Sequence, residues 1–435
     1  MKKLTFIFSF AILIPSLSFS QPGIGARSMG LAGAYHGMAR GADAGLWNPA
    51  NLALPDHPAV TVEFLSFGIA MGNNSIDLTL YNDYMSTDYF VTDTTIWDDQ
   101  AKNAIIGYFD DDLIIQERMQ MTPLAFSTGQ FALSINNFAF TNLQIPQNLI
   151  VIPLKGLSTE PIPLNTADGE GIVGSQIALS LAKVLHPDLE LIKFLSVGAS
   201  FKYFMGHSYF NINETEGYIQ SSADSLRING SYVLQLSAPF EDVGSYGDGV
   251  GLDVGACAKI SDELTFGFSM LNLIGTINFS EVENRYTEIF YNEPGLNIDN
   301  FNNFGDFIQG VQDDSVYEYR YMTAEKYVMP KRMIFSANYK YNWWLTMEAD
   351  YQQGLNETAG NSRIPRMSFG TQIKYLSFLP LRFGISLGGE QKALYGLGFG
   401  IDLKYYKLDL GFASQRGLFE KSKGVNFAIS QRLQF

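Results

Sequence analysis

The final stretch of the sequence, residues 424–435, reads GVNFAISQRLQF and decides the fold class. Apolar side chains occupy every second position, and polar or small ones lie between them. The apolar face carries Val425, Phe427, Ile429, Leu433 and Phe435, and the opposite face carries Asn426, Ala428, Ser430, Arg432 and Gln434, with Gln431 as the exception. A period of two predicts a β-strand whose faces meet different environments.

Two upstream segments alternate in the same way and indicate how the strands connect. Apolar residues occupy every second position of 397–404 and, in the opposite phase, of 406–412. The phase changes at Tyr405-Tyr406. Because a slip of one residue exchanges the two faces of a strand, this change predicts a tight turn between antiparallel strands. Residues 332–342 alternate as well, with Ile334 as the exception on the polar side.

About sixteen candidate strands are present, and one or two neighbouring pairs are expected to be halves of one long strand. Most have the roughly 9–11 residues that a strand needs to cross a bilayer. They lie at 59–71, 75–82, 113–127, 130–141, 171–185, 193–206, 228–238, 249–260, 264–278, 331–342, 343–353, 364–376, 381–390, 394–404, 405–414 and 424–435.

The composition places these strands in a membrane. Aromatic residues make up 14% of the chain and charged residues only 17%, against about 25% charged in soluble proteins. The 41 glycines suit strands that bend around a barrel wall. After the first twenty residues, no apolar run approaches the roughly 18 residues of a transmembrane helix. The sequence therefore predicts an all-β transmembrane barrel formed by residues 55–435.

The first twenty residues have the features of a secretory signal peptide. Met1-Lys2-Lys3 is followed by an apolar run to Ile14, then by Pro15 and the small residues of Ser18-Phe19-Ser20. This pattern predicts a signal peptide over residues 1–20, and it counts against a soluble β protein of the cell interior. No cysteine follows the run, so a lipid anchor is not expected. The formal net charge of −15 argues against a nucleic-acid partner.

Two acidic stretches are too polar to lie in lipid. Residues 83–117 contain nine acids and one lysine, and residues 280–326 contain ten acids and three basic residues. Both are predicted to be long extracellular loops. Helical spacing from Trp97 to Phe109, with Asp98 and Asp99 at its start, predicts a short helix in the first one. Neither stretch has the spaced D-x-D-x-D-G pattern of a calcium loop, so solvated loops are favoured and calcium binding stays open.

The sequence contains no recognisable catalytic or metal-binding motif. The histidines His36, His57, His186 and His207 are not at metal-ligand spacing, and H-E-x-x-H and G-x-S-x-G are both absent. A serine hydrolase in the wall would need a histidine beside a lipid-facing serine, which sequence does not decide. Cys257, the sole cysteine, alternates with polar residues and is predicted to be a small lumen-facing filler. We therefore expect neither an enzyme nor a cofactor.

Residues 25–54, GARSMGLAGAYHGMARGADAGLWNPANLAL, differ from the rest of the chain. They are small and almost uncharged, which suits a backbone packed closely against inward-facing side chains, whereas a flexible linker would not need the large apolar Tyr35, Leu46, Trp47 and Leu52. The candidate functional residues of this stretch are Gly30, Gly33, Tyr35, Asp43, Trp47, Asn48, Pro49 and Ala50.

This stretch resembles the start of the FadL-like family of outer-membrane transporters for long-chain fatty acids and aromatic hydrocarbons. The matching motifs are Ser28-Met29-Gly30-Leu31-Ala32-Gly33-Ala34-Tyr35, Ala42-Asp43-Ala44-Gly45 and Trp47-Asn48-Pro49-Ala50. The resemblance implies that residues 21–54 form a hatch that plugs a barrel of about fourteen antiparallel strands. Typical members carry an Asp-Asp pair before Asn-Pro-Ala, whereas this chain offers the single acid Asp43. The terminal Phe435 resembles the signal by which the barrel assembly machinery recognises outer-membrane proteins.

The function that the resemblance implies is hatch-gated, passive uptake of hydrophobic small molecules across the outer membrane of a Gram-negative cell. A ligand would enter between the loops, meet an apolar aromatic pocket and leave past the displaced hatch. The alternative is a barrel that docks secreted or surface proteins on its acidic loops, since some related barrels serve secretion or attachment. A water-filled porin is a weaker third possibility because of the plug. The expected partners are outer-membrane lipid, the barrel assembly machinery and either a hydrophobic small molecule or a secreted protein.

Overall fold

The structure, a computed structural model, describes nine stretches of the chain. They are residues 24–85, 98–109, 111–155, 158–164, 167–185, 191–221, 225–237, 244–294 and 316–435. The predicted signal peptide, Trp97, His186 and much of both acidic stretches lie outside the described residues.

The described residues form strand segments along almost the whole chain. They are β1 Val60–Asn73, β2 Leu113–Thr128, β3 Phe131–Ile145, β4 Ile162–Pro163, β5 Asp168–Leu185, β6 Phe194–Ser221, β7 Ser225–Leu236, β8 Gly247–Lys259, β9 Leu264–Pro294, β10 Val316–Val328, β11 Arg332–Lys340, β12 Leu345–Gly354, β13 Arg366–Ile373, β14 Leu381–Gly388, β15 Ala393–Asp402, β16 Tyr406–Gln415 and β17 Gly424–Gln434.

These segments close into a barrel of fourteen antiparallel strands. Segments β7 and β8 both pair with β6 on one side and β9 on the other, so they are two halves of one interrupted strand. Segments β10 and β11 are halves of the next one, because both pair with β9. The ring closes where β1 pairs with β17, with Val62 opposite Leu433. The fold class predicted from the sequence is confirmed.

The two ends of the barrel differ. The turn end contains Phe435, which exchanges hydrogen bonds with Val60, and short connections at 129–130, 260–263, 341–344 and 403–405. The opposite, loop end carries the helices α3 Leu78–Leu80, α4 Asp99–Ile106 and α5 Gln147–Lys155. Exposed aromatic pairs ring the turn end: Trp343 stacks on Tyr375, and Tyr405 stacks on Phe435. Such girdles are typical of the interface between a bilayer and water.

The outer wall is apolar where the sequence predicts it. In β17 the outward Val425 is 63% exposed, whereas the inward Asn426 and Arg432 are 4% and 3% exposed. The same phase holds for the outward Leu397, Phe399 and Ile401 of β15. Among the described residues, no helix has the length and apolarity needed to span a membrane.

At the loop end, one predicted strand is wrong and one predicted helix is confirmed. The strand predicted at 75–82 is wrong, because α3 runs on into a π turn at Tyr81–Met85. Here Asn73 accepts the backbone N–H groups of Ser75 and Ile76, and Asp77 accepts that of Leu80, so local side chains replace a strand partner. The predicted helix is confirmed as α4, where Asp98 accepts the N–H of Ala101 and caps the first turn.

The second acidic stretch was predicted as a loop over 280–326, and its described parts correct that prediction. Residues 280–294 continue β9, residues 316–326 belong to β10, and the two pair with each other. With β4, β7 and the end of β6, they extend the sheet beyond the barrel. Outside the bilayer, neither face of a strand has to be apolar. The alternation of apolar and polar residues that is typical of a membrane strand is therefore not required there.

Residues 24–54, here called the N-terminal segment, lie inside the barrel. Their elements are the short helices α1 Ala26–Gly30 and α2 Ala42–Trp47 and the 3-10 turn Pro49–Ala53, nearly all buried. The first helix packs on β14 to β17 and the 3-10 turn packs on β5, β6 and β8. Inward-facing glycines allow this approach: a Cβ on Gly396 would lie 2.5 Å from the Met29 carbonyl oxygen.

A glycine-to-alanine pair tests this packing. We expect Gly396→Ala to displace the N-terminal segment, because the new methyl group meets its backbone at Met29 and Ala32. Gly25→Ala is the matched control, since a Cβ there has no neighbour within 4 Å. The measurement is single-channel ion conductance in planar bilayers. Gly396→Ala should raise the conductance and Gly25→Ala should leave it at the wild-type level; equal conductances would contradict the close packing.

Candidate functional site

One carboxylate, that of Asp409, joins the N-terminal segment to the barrel wall. Asp409 lies on β16 and is completely buried. Its oxygens lie 2.8 Å from Arg27 Nε of the segment, 2.8 Å from Arg382 Nη2 and 2.7 Å from Arg432 Nη2 of the wall. A buried charge is tolerated only when it is paired and hydrogen-bonded, and here one anion holds three cations in place.

Asp43, the single acid predicted in the segment, belongs to the same network. Its Oδ2 accepts a hydrogen bond of 2.6 Å from the hydroxyl of Tyr35 and lies 3.3 Å from Arg432 Nη1. The Tyr35 hydroxyl in turn accepts a bond of 3.4 Å from Arg27. We call Arg27, Asp43, Arg382, Asp409 and Arg432 the charge cluster. It connects the candidate residue Asp43 with the wall, and Tyr35 is bonded to the cluster through Asp43 and Arg27.

The carboxylates of β12 hold the middle of the segment by its backbone. Asp350 accepts the N–H groups of Tyr35 and His36 at 2.9 and 3.1 Å, and Glu348 accepts that of Gly37 at 2.5 Å. His36 Nδ1 also lies 2.9 Å from Asp350. These contacts satisfy backbone donors that would otherwise be buried without partners.

The Asn-Pro-Ala motif attaches the segment to the opposite wall of the barrel by hydrogen bonds. Asn48 accepts the N–H of Ala50 at 3.1 Å, which caps the 3-10 turn, and it donates to the Ala256 carbonyl at 3.2 Å. Pro49 begins the turn, where its missing N–H is not needed. Ser196 on β6 donates to the Ala50 carbonyl at 2.9 Å. Cys257 packs beside Ala50, so its predicted role as a lumen-facing filler agrees with its surroundings.

The remaining candidate residues of the segment act by packing. Trp47 makes edge contacts with the rings of Tyr35 and His36, at centroid distances of 5.1 and 4.8 Å. Gly30 abuts the backbone of Gly398, where a Cβ would lie 2.8 Å from the Gly398 Cα. Gly33 has a φ of +93° and faces Arg366. The structure thus brings all the predicted segment residues into contact with the wall or with each other.

On the loop side of the segment, an aromatic cluster lies inside the barrel. Its aromatic members are Phe138, Phe140, Phe204, Tyr209, Phe279 and Tyr327. Phe138 stacks on Phe140 with a centroid distance of 5.4 Å, and Tyr209 stacks on Phe279 at 5.5 Å. The expected aromatic lining is therefore present, but its rings pack on each other instead of surrounding an open apolar pocket.

The cavity that adjoins the aromatic cluster has a largely polar lining. Three arginines line it, namely Arg118 of β2, Arg332 of β11 and Arg366 of β13, together with Gln391 and Asn426. Its apolar lining consists of Ile24, Met29, Ala70, Phe140 and Leu394. Sequence reasoning missed these arginines because each is a single inward residue near the loop end of a different strand.

Outside the membrane-spanning strands, Asp56 connects the end of the segment to the wall. Asp56 Oδ1 lies 2.9 Å from Arg40 Nε of the segment, and Asp56 Oδ2 contacts Lys340 of β11. Partial burial opposes ionisation of Asp56, but Arg40 and Lys340 outweigh it and hold its pKa below the ordinary value. Burial and the neighbouring Arg40 lower the pKa of His57 to about 4, so His57 is neutral at physiological pH.

The outer wall does place a histidine beside a serine. Ser175 Oγ lies 2.7 Å from His207 Nε2 and donates to Asn137 at 3.0 Å, while His207 Nδ1 lies 2.9 Å from the Gly244 carbonyl. These contacts tie β3, β5 and β6 together where the register of β5 and β6 shifts. In the described residues, no three histidine, cysteine or acidic side chains are grouped to hold a metal.

Comparison with known proteins gives one family model. That of a family of unknown function, DUF5723, matches residues 58–410. No curated protein matches this sequence.

Solved structures share the fold. The toluene transporter TodX of P. putida is 12% identical with a TM-score of 0.54, and the comparison covers 96% of this chain and 99% of that one. The monoaromatic hydrocarbon channel CymD is 13% identical with a TM-score of 0.51, at 96% and 99% coverage. A FadL homologue of Pseudomonas aeruginosa, at 13% identity and 96% and 100% coverage, has a TM-score of 0.47. The fold expected from the FadL-like resemblance is confirmed.

Removing the charge of Asp409 tests the charge cluster. We expect Asp409→Asn to destabilise the folded protein by roughly 3–5 kcal/mol, because buried arginines then lose their common anion. The control is Asp262→Asn, which breaks an exposed pair with Lys193 and should not change stability measurably. The measurement is urea-induced unfolding in detergent, followed by electrophoretic mobility. Equal midpoints for the two variants would contradict the role of Asp409.

Proposed function

Because the chain belongs to the DUF5723 family of unknown function and shares its fold with hydrocarbon channels, we propose that it takes up hydrophobic small molecules through its lumen. The observation that supports this proposal most is the N-terminal segment, which crosses the lumen and is held by polar contacts along its whole length. In the proposed mechanism the segment is the gate. No residue performs covalent chemistry.

The proposed route runs from the loop end to the turn end. A ligand first meets the aromatic cluster, whose rings rearrange to admit an apolar molecule. The N-terminal segment then moves away from the wall at the charge cluster or at the carboxylates of β12. Polar contacts suit such a gate, because water can form hydrogen bonds with the separated groups when the segment moves. Separating purely apolar contacts would instead expose apolar surface to water.

The proposed location is the outer membrane of a Gram-negative cell. The apolar outer wall and the aromatic girdle at the turn end fit a bilayer. The proposal includes export by a signal peptide at residues 1–20, residues 21–54 as hatch, and insertion by the barrel assembly machinery through the final strand and Phe435. The turn end then faces the periplasm and the loop end faces the outside.

A second candidate function is the docking of a secreted or surface protein at the loop end. Two observations favour it: the rings of the aromatic cluster pack on each other inside the lumen, and β6, β7, β9 and β10 extend as a sheet beyond the barrel. Tyr317, Tyr319 and Tyr321 are exposed on β10. In this alternative the segment would be a permanent plug and would never move.

A reversible cross-link separates the two candidates. Gly45 of the segment and Ser180 of β5 are suitable positions, because a Cβ on Gly45 would lie 3.2 Å from the Ser180 Cβ, only slightly less than the roughly 3.5–4.5 Å found in disulfides. We expect Gly45→Cys/Ser180→Cys, made with Cys257→Ala, to lose uptake of radiolabelled ethylbenzene when oxidised and to regain it on reduction. Uptake is measured in cells that carry the protein in their outer membrane.

The control for the cross-link is Gly45→Cys with Cys257→Ala, which cannot form the disulfide. Its uptake should not respond to oxidation. If the oxidised double variant takes up ethylbenzene as well as the reduced double variant does, the segment does not gate the lumen. Absence of ethylbenzene uptake by the wild-type protein would favour the docking barrel.

A further inference from the structure

The connection between β12 and β13, residues 355–365, turns into the lumen at the loop end of the barrel. At its tip, the Asn361 N–H donates to the Thr358 carbonyl at 2.9 Å, and the Thr358 N–H donates to the Asn361 carbonyl at 3.3 Å. Gly360 has a φ of +81°, the left-handed conformation that a type II turn requires at its third position. Ala359 is 1% exposed and belongs to the aromatic cluster. We call residues 355–365 the inward loop.

The tip of the inward loop contacts the wall on the far side of the lumen. Glu170 of β5 accepts hydrogen bonds from the Thr358 hydroxyl at 2.9 Å and from the Ala359 N–H at 2.6 Å. A Cβ on Gly360 would lie 3.0 Å from the ring of Phe140 on β3. In the ring of strands, β6, the interrupted strand β7–β8, β9 and the interrupted strand β10–β11 lie between β5 and β12. The inward loop therefore crosses a large part of the lumen.

On its own side of the barrel, the base of the inward loop is bonded to the connection between β10 and β11. Asn356 accepts the Lys331 N–H at 2.8 Å and donates to the Met329 carbonyl at 3.2 Å. Asn361 donates to the Lys331 carbonyl at 3.1 Å and accepts a bond of 2.9 Å from Arg332. These bonds do not involve the far wall, so the base can stay in place when the tip leaves Glu170.

The polar cavity lies between the inward loop and the N-terminal segment. Ile24 and Gly33 of the segment line one part of it, and Phe140 and Arg332 line another. The last two residues also contact the inward loop, since Phe140 faces Gly360 and Arg332 donates to the Gly360 carbonyl. The cavity is therefore bounded by the segment on the turn side and by the inward loop on the loop side.

The tip of the inward loop makes contacts that are easily exchanged for water. Its residues in the aromatic cluster region are Ala359 and Gly360, which bury little apolar surface, so their departure costs little hydrophobic free energy. The hydrogen bonds to Glu170 can be replaced by bonds to water when the tip moves outward. The segment differs, because it buries the large side chain of Trp47 and shares the charge cluster with the wall.

We propose that the inward loop is a second, outer gate for ligands, with Glu170 as the residue that holds it closed. The tip leaves Glu170 and Phe140 to admit a ligand to the aromatic cluster, while the base stays bonded at Asn356. This inference rests on the proposed function, since it concerns the regulation of entry into the same lumen. Entry is then controlled at the loop end, before a ligand reaches the N-terminal segment.

The first test measures how fast a buried cysteine in the tip reacts with a water-soluble maleimide, in the full-length protein in lipid nanodiscs. Ala359→Cys, made with Cys257→Ala, puts a thiol into the aromatic cluster and keeps the backbone N–H that bonds to Glu170. We expect this thiol to be labelled slowly. Adding Glu170→Ala should raise the labelling rate about tenfold or more, because the charge-assisted hydrogen bonds that hold the tip are lost.

The matched control is Asp168→Ala, which removes an equal charge from an exposed position of the same strand. It should leave the labelling rate unchanged. Glu170→Gln should give an intermediate rate, because its amide oxygen still accepts hydrogen bonds but carries no charge. Heat-modifiable electrophoretic mobility checks that every variant is a folded barrel. Equal labelling rates with and without Glu170→Ala would overturn the proposal, since the loop would then be a fixed cover if both rates are slow, or already open if both are fast.

The second test asks whether the same movement admits a ligand. The side chains of Glu170 and Thr358 meet at 2.9 Å, so a bifunctional methanethiosulfonate can bridge the thiols of Glu170→Cys/Thr358→Cys, made with Cys257→Ala. We expect the bridged variant to take up no radiolabelled ethylbenzene and to regain uptake on reduction. Thr358→Cys with Cys257→Ala cannot be bridged, so its uptake should not respond to the reagent. Unchanged uptake in the bridged variant would contradict an outer gate.

Failure of this inference is distinguishable from failure of the proposed function, because maleimide labelling of the tip requires no transport. Ethylbenzene uptake that changes neither with Glu170→Ala nor with the bridge would leave the transporter in place and remove the outer gate. A labelling rate that depends on Glu170, in a barrel that takes up no ethylbenzene, would support the moving loop and contradict the proposed transport.

Discussion

The carboxylate of Asp409 fixes the internal arrangement of this barrel. It attaches Arg27 of the N-terminal segment to Arg382 and Arg432 of the wall, all within 2.8 Å. With this end fixed, the segment crosses the lumen, meets the carboxylates of β12 and reaches β6 and β8 through Asn48-Pro49-Ala50. The small residues of the segment and the inward glycines of the wall follow from the same constraint, because two backbones approach each other closely.

The N-terminal segment divides the lumen, and the side chains that line the lumen also differ in polarity from one region to another. Toward the loop end, a packed aromatic cluster lies beside a cavity lined by Arg118, Arg332 and Arg366. Apolar and cationic side chains therefore lie next to each other in this part of the lumen. The solved channels that share the fold are named for toluene and monoaromatic hydrocarbons.

The sequence predicted the membrane part of the fold well and the rest less well, for physical reasons. Lipid forces Val425, Leu397 and their neighbours to be apolar, so the alternation reveals both the strand and its phase. Above the bilayer no such constraint acts, and therefore β10 and the ends of β6 and β9 were not predicted as strands. The contacts of the charge cluster were not predictable, since Arg27 and Asp409 are 382 positions apart and no local spacing connects them. The motifs of the segment were recognisable because its glycines and Asn-Pro-Ala act through local backbone geometry.

Hydrogen–deuterium exchange of the protein in lipid nanodiscs tests the central claim, that residues 24–54 are an ordered part of the barrel interior. If they are, peptides from this segment exchange as slowly as peptides from the neighbouring β16 and β17, because their N–H groups are buried and bonded. Exchange of the segment within seconds, while the strands remain protected, would contradict the claim and show a flexible linker.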